Sequence, residues 1–293
     1  INSLSSIDQG QFVWLDKFTI RNLELLHSAN ANAKTLIDII DKTSSPMGSR
    51  LMRRWLSLPL KNREQIMSRY EIVDFFVNNN EHISNFQDSI RQVGDLERLI
   101  SKVSLLRVNP RELLQVARAL DHIENIKILC AESNNDALKL YAEQLNVCDS
   151  IRQRIKRTLN PDSPAVISKG NIINEGVDEQ LDNLRTLSRS GKDYLTDIQR
   201  REVAATGISS LKIGYNNVFG YYLEVTNLHK DKVPAEWIRK QTLANAERYI
   251  TEELKEYEQK ILGADEKIQA IEEQLYLELI NACGEFVAPI QLD

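Results

Sequence analysis

The chain has 293 residues, 42% of them hydrophobic and 27% charged. These are the proportions of a folded globular protein rather than a disordered one. The length exceeds one small domain, so two or more structural units are expected. No run of about 18 apolar residues occurs, which excludes a membrane-spanning helix. Cys130, Cys148 and Cys283, with His27, His82, His122 and His229, make neither a disulfide framework nor a zinc-ligand spacing. A reduced, cytoplasmic setting without a metal is therefore expected. The sequence opens on Ile1 with no cationic leader before an apolar block, so no signal peptide is read and the chain is taken as an excerpt of a longer one.

The net charge of −5 argues against a surface that binds nucleic acid everywhere, but it hides an asymmetry. From Gln199 to Ile250 eight basic residues stand against five acidic ones, +3; from Thr251 to Asp293 three basic stand against eleven acidic, −8.

In chain order, "FVWLDKFTIRNLEL" alternates loosely and reads as a strand entering a domain. From His27 to Asn160 the pattern is helical and is punctuated by Pro46, Pro59, Pro110 and Pro161, since proline suits a first turn and breaks an interior. Asn109 before "PRELL" and Ser44 or Ser45 before Pro46 read as helix starts. Apolar spacings at Ile66, Tyr70, Val73 and Phe76, and at Leu113, Val116, Leu120 and Ile123, suit the packed faces of amphipathic helices. "NPDSPAVISKGNIINEG" (160–176) is rich in turn formers and reads as a loop with a small hairpin.

Two long periodic stretches follow. In the first, Val177, Leu181, Leu184, Leu187, Leu195 and Ile198 recur at steps of three and four, with gaps. In the second, Leu254, Tyr257, Ile261, Ala264, Ile268, Ile271 and Leu275 do so strictly, until the seam breaks at Glu278. Such a seam lets two helices wrap together, and helices of about 30 residues would span roughly 45 Å. Thr251 is placed to cap the second, with Glu252 and Glu253 opposing its macrodipole.

Between them lies a β-rich segment. Leu211, Ile213 and Tyr215 alternate with Lys212 and Gly214, and Tyr221, Leu223 and Val225 alternate with Tyr222, Glu224 and Thr226; "NNVFG" supplies the turn. A third extended piece is read in "WIRKQTLANAERYI", with Arg239, Gln241, Leu243 and Asn245 on one face and Lys240, Thr242 and Ala244 on the other. So small a sheet leaves one face wet. Its cations and amides suit phosphate contacts, though they equally suit a solvated surface. Tyr215, Phe219, Tyr221 and Tyr222 suit base stacking, but their alternation favours packing in the sheet's own core. The fold class is mainly α: a multi-helix core and two long antiparallel helices carrying a small antiparallel sheet at their tip.

Five stretches, in order along the whole chain, resemble the MutS family of DNA mismatch-repair proteins: "LDKFTIRNLELL", "SPMGSRLMRRWLSLPL", "RQVGDLERLISKV", "LKIGYNNVFGYYLEVT" and "TLANAERYITEELKEYEQKIL". The resemblance implies a core and first lever helix over 15–206, a clamp over 207–250, a returning lever over 251–293 and a connector remnant at 1–14. It also implies double-stranded DNA, gripped by its backbone, as partner, with the levers relaying movement driven by an ATPase domain. For the full-length family it implies ATP and magnesium, a second MutS subunit and a MutL-type protein; for this segment it implies no cofactor, no catalytic site and no membrane.

Carried over position by position, the DNA-contacting residues are Asn216, Asn217, His229, Lys230, Arg239, Lys240, Gln241, Thr242, Asn245 and Arg248. Ala244 departs from the family, where lysine is frequent, so one phosphate contact is lost or moved to Lys240. No Phe-x-Glu mismatch-reading motif occurs. "TLSRSGKD", the nearest approach to a phosphate-binding loop, has Thr186 in place of its first glycine and Asp193 after the lysine. Arg50, Arg53 and Arg54 are read as ion-pairing residues of the helical core, and Asp95 and Glu97 as capping and pairing groups rather than a catalytic pair. The rival reading is a protein-interaction module, a helical domain whose coiled-coil arm and sheet bind another protein.

Overall fold

A computed structural model of the chain describes residues 10–292 except Ala31, Asn217 and Phe219; the side chains at 191–192, 260–262 and 292 also lie outside the description. The protein is mainly α with one four-stranded antiparallel sheet. It divides into two compact units, one comprising the described residues up to Val166 and those from Glu278 onward, the other running Ile167–Leu277.

The first unit contains α1 (Lys17–Asn22), α2 (Leu36–Ile40), α3 (Pro46–Ser57), α4 (Arg63–Asn78), α5 (Ile83–Val93), α6 (Leu96–Ser104), α7 (Pro110–Glu132), α8 (Asp136–Gln144) and α9 (Asp149–Thr158). Helix α7 is its axis. Asn109 and Glu112 close a capping box around Pro110, satisfying donors that a helix start leaves open. Leu113, Val116, Ala117, Leu120 and Ile123 are buried where α5, α6, α8 and α9 pack on it. Ser45 caps α3 by accepting from the Gly48 amide at 3.1 Å. Arg50 reaches both Asp95 and Glu97 at 2.6 Å. Asp95 stands outside α6 as its N-cap, which is how two residues that would diverge on a helix meet one guanidinium.

Two expectations are corrected in this unit. Residues 17–22 are helical, capped by Asp16; the extended character is confined to residues 11–13, which bond to residues 59–61. On α4 the inward face is Ile72, Phe75 and Phe76, packed on Phe86 and Leu138, while Tyr70 and Val73 are exposed; the three-and-four spacing exists on two faces and aromatic bulk selects one. The 160–176 loop contains a 3-10 turn at Ile167–Lys169, where the second unit begins.

The second unit opens with α10 (Glu179–Thr206), continues through the sheet, and includes the residues up to Leu277 of α11 (Glu252–Gly284); a short α12 (Val287–Leu292) follows α11 in the first unit. Helices α10 and α11 run antiparallel, as four contacts along their length establish. Arg185 meets Glu272 at 2.6 Å, and Ser188 donates to Asp265 at 2.7 Å. The Tyr194 and Tyr257 rings stack with centroids 3.8 Å apart, and Arg201 pairs with Glu253. Leu181, Leu195, Ile198, Leu254 and Ala264 are buried, but Leu187 is exposed: Ser188, bonded to Asp265, takes the inward place. Thr251 caps α11 by accepting from the Leu254 amide at 3.1 Å.

Among these contacts the Arg185–Glu272 pair is the most enclosed. Glu272 is 1% exposed and Arg185 11%, and the guanidinium also donates to the Ile173 carbonyl at 2.8 Å. Removing one partner of a buried pair leaves an uncompensated charge. Arg185→Met should therefore lower the stability of the chain by about 3–5 kcal/mol in urea unfolding, and adding Glu272→Leu should restore most of the loss.

Candidate nucleic-acid interface

The sheet has the order β1-β2-β4-β3, with β1 at Lys212–Asn216, β2 at Gly220–Thr226, β3 at Ile238–Thr242 and β4 at Ala246–Ile250. The single extended piece read in 237–250 is therefore two strands, joined by a turn at residues 243–245. One face is apolar. Leu223, Val225 and Tyr249 close over Ile208, Leu211 and Trp237, and Ile213 and Tyr221 rest on Leu195, Ile198 and Leu254. Gly220 adopts φ +82°, a backbone conformation that glycine enters freely and that strains residues carrying a Cβ.

On the opposite face the Tyr222 ring lies across Gly214, where a Cβ would come within 2.6 Å of it. Arg248 covers that ring at 4.3 Å from its centroid, bonds Glu224 at 3.0 Å and Gln241 at 2.9 Å, and is 19% exposed. The predicted site residues Arg248 and Gln241 are thus engaged with each other across the strands. Tyr222 and Tyr221 pack within the unit as the alternation implied, whereas Tyr215 is exposed, edge-on to Tyr221 at 5.0 Å.

Register separates the remaining residues. Arg239 is opposite Tyr249 and Gln241 is opposite Arg248, with a bulge between them. Lys240 is the extra residue, and because a bulge resets the alternation, Arg239 and Gln241 lie on opposite faces rather than on the shared face expected. Arg239 is exposed, 3.3 Å from Glu247. Lys240 and Thr242 are also exposed.

The strand ends form two separate polar sites. At one end, Asn216 accepts from the Val218 amide at 2.8 Å, shaping the β1–β2 turn; Asn217 lies outside the described residues. At the other end, a 3-10 turn (Asn227–Lys232) sits beside the β3–β4 turn. Asn227 joins them, its amide donating to the Asn245 carbonyl at 3.1 Å and its Nδ2 to that of Ala244 at 2.9 Å. This end gathers His229, Lys230, Thr242 and Asn245, with Lys232 added; Asn216 is excluded from it. Asn227 and Lys232 escaped the sequence reading, although an asparagine directly after a strand is a recognisable turn former.

Electrostatically, Lys212, Lys230, Lys232 and Lys240 make no ion pair among the described residues, whereas Arg201, Arg239 and Arg248 are paired with Glu253, Glu247 and Glu224. The Tyr249 hydroxyl, then the Arg239 and Lys230 charges, hold the Glu247 carboxyl below its usual range against the opposing effect of burial. Burial, and after it the bond to Glu247, pushes the Tyr249 phenol up to about 12. No group of three or more His, Cys, Asp or Glu among the described residues could hold a metal. Residues 186–193 are helical throughout, inside α10, and so do not form the loop that would cradle a nucleotide phosphate.

Fold and site together define a helical scaffold segment whose small sheet is inserted between two paired helices and carries lysines that have no ion pair among the described residues. Residues 18–292 match the family model described as MutS domain III, and the chain belongs to the MutS family. It is 56% identical over its full length to the DNA mismatch repair protein MutS of Flavobacterium johnsoniae. Identity to those of Parabacteroides distasonis and Bacteroides fragilis is 55% and 53%, again over the full length. The chain spans 34% of the length of each.

A raised phenol pKa means that the neutral form is favoured on folding. The stability from Tyr249 should be complete below pH 10, its ordinary value, and lost as pH rises toward about 12. In unfolding series from pH 8 upward (roughly the onset of tyrosine titration), Tyr249→Phe should flatten this alkaline decline.

Proposed function

We propose that the end of the sheet formed by the 3-10 turn and the β3–β4 turn contacts the backbone of duplex DNA without regard to sequence, and that α10 and α11 relay movement between this contact and the rest of a mismatch-repair protein. The observation that carries the reading is the uncompensated charge. Lys230, Lys232 and Lys240 lack ion pairs among the described residues, in a unit whose arginines are all paired, and exposed Thr242 and Asn245 belong to the same end of the sheet. Unpaired lysines release counterions from phosphates on binding, while hydroxyl and amide groups donate to phosphate oxygens.

The bulge at Lys240 supports the reading by turning an extra cation out of the strand ladder. The antiparallel register of α10 and α11 supports the relay, since two helices tied by ion pair, hydrogen bond and ring stack move as one rod. Arg239 and Arg248 contribute chiefly by shaping the surface, because carboxylates already occupy them. ATP and magnesium, a second subunit, a MutL-type partner and a cytoplasmic location are assigned, in the same proposal, to the full-length family member.

Anisotropy titration of a labelled duplex across a salt series tests this. Affinity should fall linearly on a log–log plot with a slope of about −0.9 per neutralised phosphate and should not differ between matched and mismatched duplexes. Lys230→Ala with Lys240→Ala should flatten the slope by roughly 2. Affinity flat in salt would favour a protein-interaction role instead.

A further inference from the structure

The cationic end of the sheet also displays an apolar side chain. Leu228 is 84% exposed, second residue of the 3-10 turn Asn227–Lys232. A single exposed leucine is ordinary on a protein surface. This one is held at a fixed place, because the two Asn227 bonds to the Asn245 and Ala244 carbonyls fasten the start of the turn to the strand connection beside it. Lys230 and Lys232 follow within four positions. Asp231, one 3-10 turn beyond Leu228, puts a negative charge on the leucine's own side of the turn, so phosphates are drawn to the flanks and repelled from Leu228 itself. A surface that attracts phosphates on either side of an apolar knob is complementary to the space between two phosphate ridges, where deoxyribose edges line a minor groove about 6 Å wide.

We propose that Leu228 seats in the minor groove of duplex DNA against the sugar edges, supplying a salt-independent part of the affinity. This rests on the duplex binding proposed above. A second strongly exposed apolar side chain, Val218 at 89%, lies in the β1–β2 turn at the opposite end and provides an internal comparison.

The test is a salt-series titration of the full chain against one labelled duplex. Leu228→Ser should weaken binding roughly tenfold at every salt concentration, the loss expected for one buried leucine side chain, with the slope unchanged. Leu228→Met should retain affinity, Lys230→Ala should lower the slope by about 0.9, and Val218→Ser should match the parent. Saturating the duplex with distamycin, a minor-groove occupant, should abolish the difference between parent and Leu228→Ser. If Leu228→Ser binds like the parent while Lys230→Ala flattens the slope, the leucine contact is wrong and the backbone contact stands. A difference that persists under distamycin overturns the groove assignment. Absence of salt-dependent binding by the parent overturns both proposals.

Discussion

The Arg185–Glu272 ion pair fixes the register of α10 against α11, and the rest of the second unit depends on that register. Both partners are largely removed from water. A slip of either helix by one turn would strand a carboxylate in an apolar setting, a far larger penalty than the loss of any single packing contact. With this pair in place, Ser188 meets Asp265, Tyr194 stacks on Tyr257, and Arg201 reaches Glu253. Leu195, Ile198 and Leu254 then lie together as the platform on which Ile213 and Tyr221 rest. The orientation of the sheet is thus inherited from a polar contact some way along the helices.

The sheet divides its two faces by chemistry. Its inner face is closed by large apolar groups, with Trp237 and Tyr249 at 6.0 Å. On its outer face Tyr222 can lie flat only because Gly214 has no side chain, and Arg248 covers it while bonding Glu224 and Gln241. Arginine suits this place because a planar guanidinium can stack and donate in its own plane at once. The lysines have no such contacts and remain at the rim, a division of labour between the two cation types that a count of positive charges does not reveal.

Much of this was legible from the residues. The Asn109–Pro110–Glu112 start, the Thr251 cap, the paired long helices and the β1–β2 alternation all rest on local rules: capping geometry, proline's fixed φ and side-chain period. What the sequence concealed depends on partners distant in the chain. Leu187 follows the apolar spacing as well as its neighbours do, and only the presence of Asp265 across the helix pair explains why Ser188 displaces it. Tyr70 and Val73 share the spacing of Phe76, but Ile72 and Phe75 take the inward places beside it. At the candidate interface the residue types were readable and their grouping was not. The bulge between Arg239 and Gln241 and the Asn227 tie are properties of strand pairing, and together they separate Arg248 and Asn216 from Lys230, Thr242 and Asn245. Family resemblance reached the same segment by another route.

The bulge at Lys240 has a consequence beyond the placement of a charge. Strand β3 is an outermost strand of the sheet, and an outermost strand offers a row of unsatisfied amides and carbonyls to any extended peptide that drifts past. An irregular ladder with a lysine at its midpoint is a poor template for such an addition. The residue assigned above to a proposed phosphate contact therefore also disfavours edge-to-edge pairing of β3 with another copy of the chain, independently of any ligand.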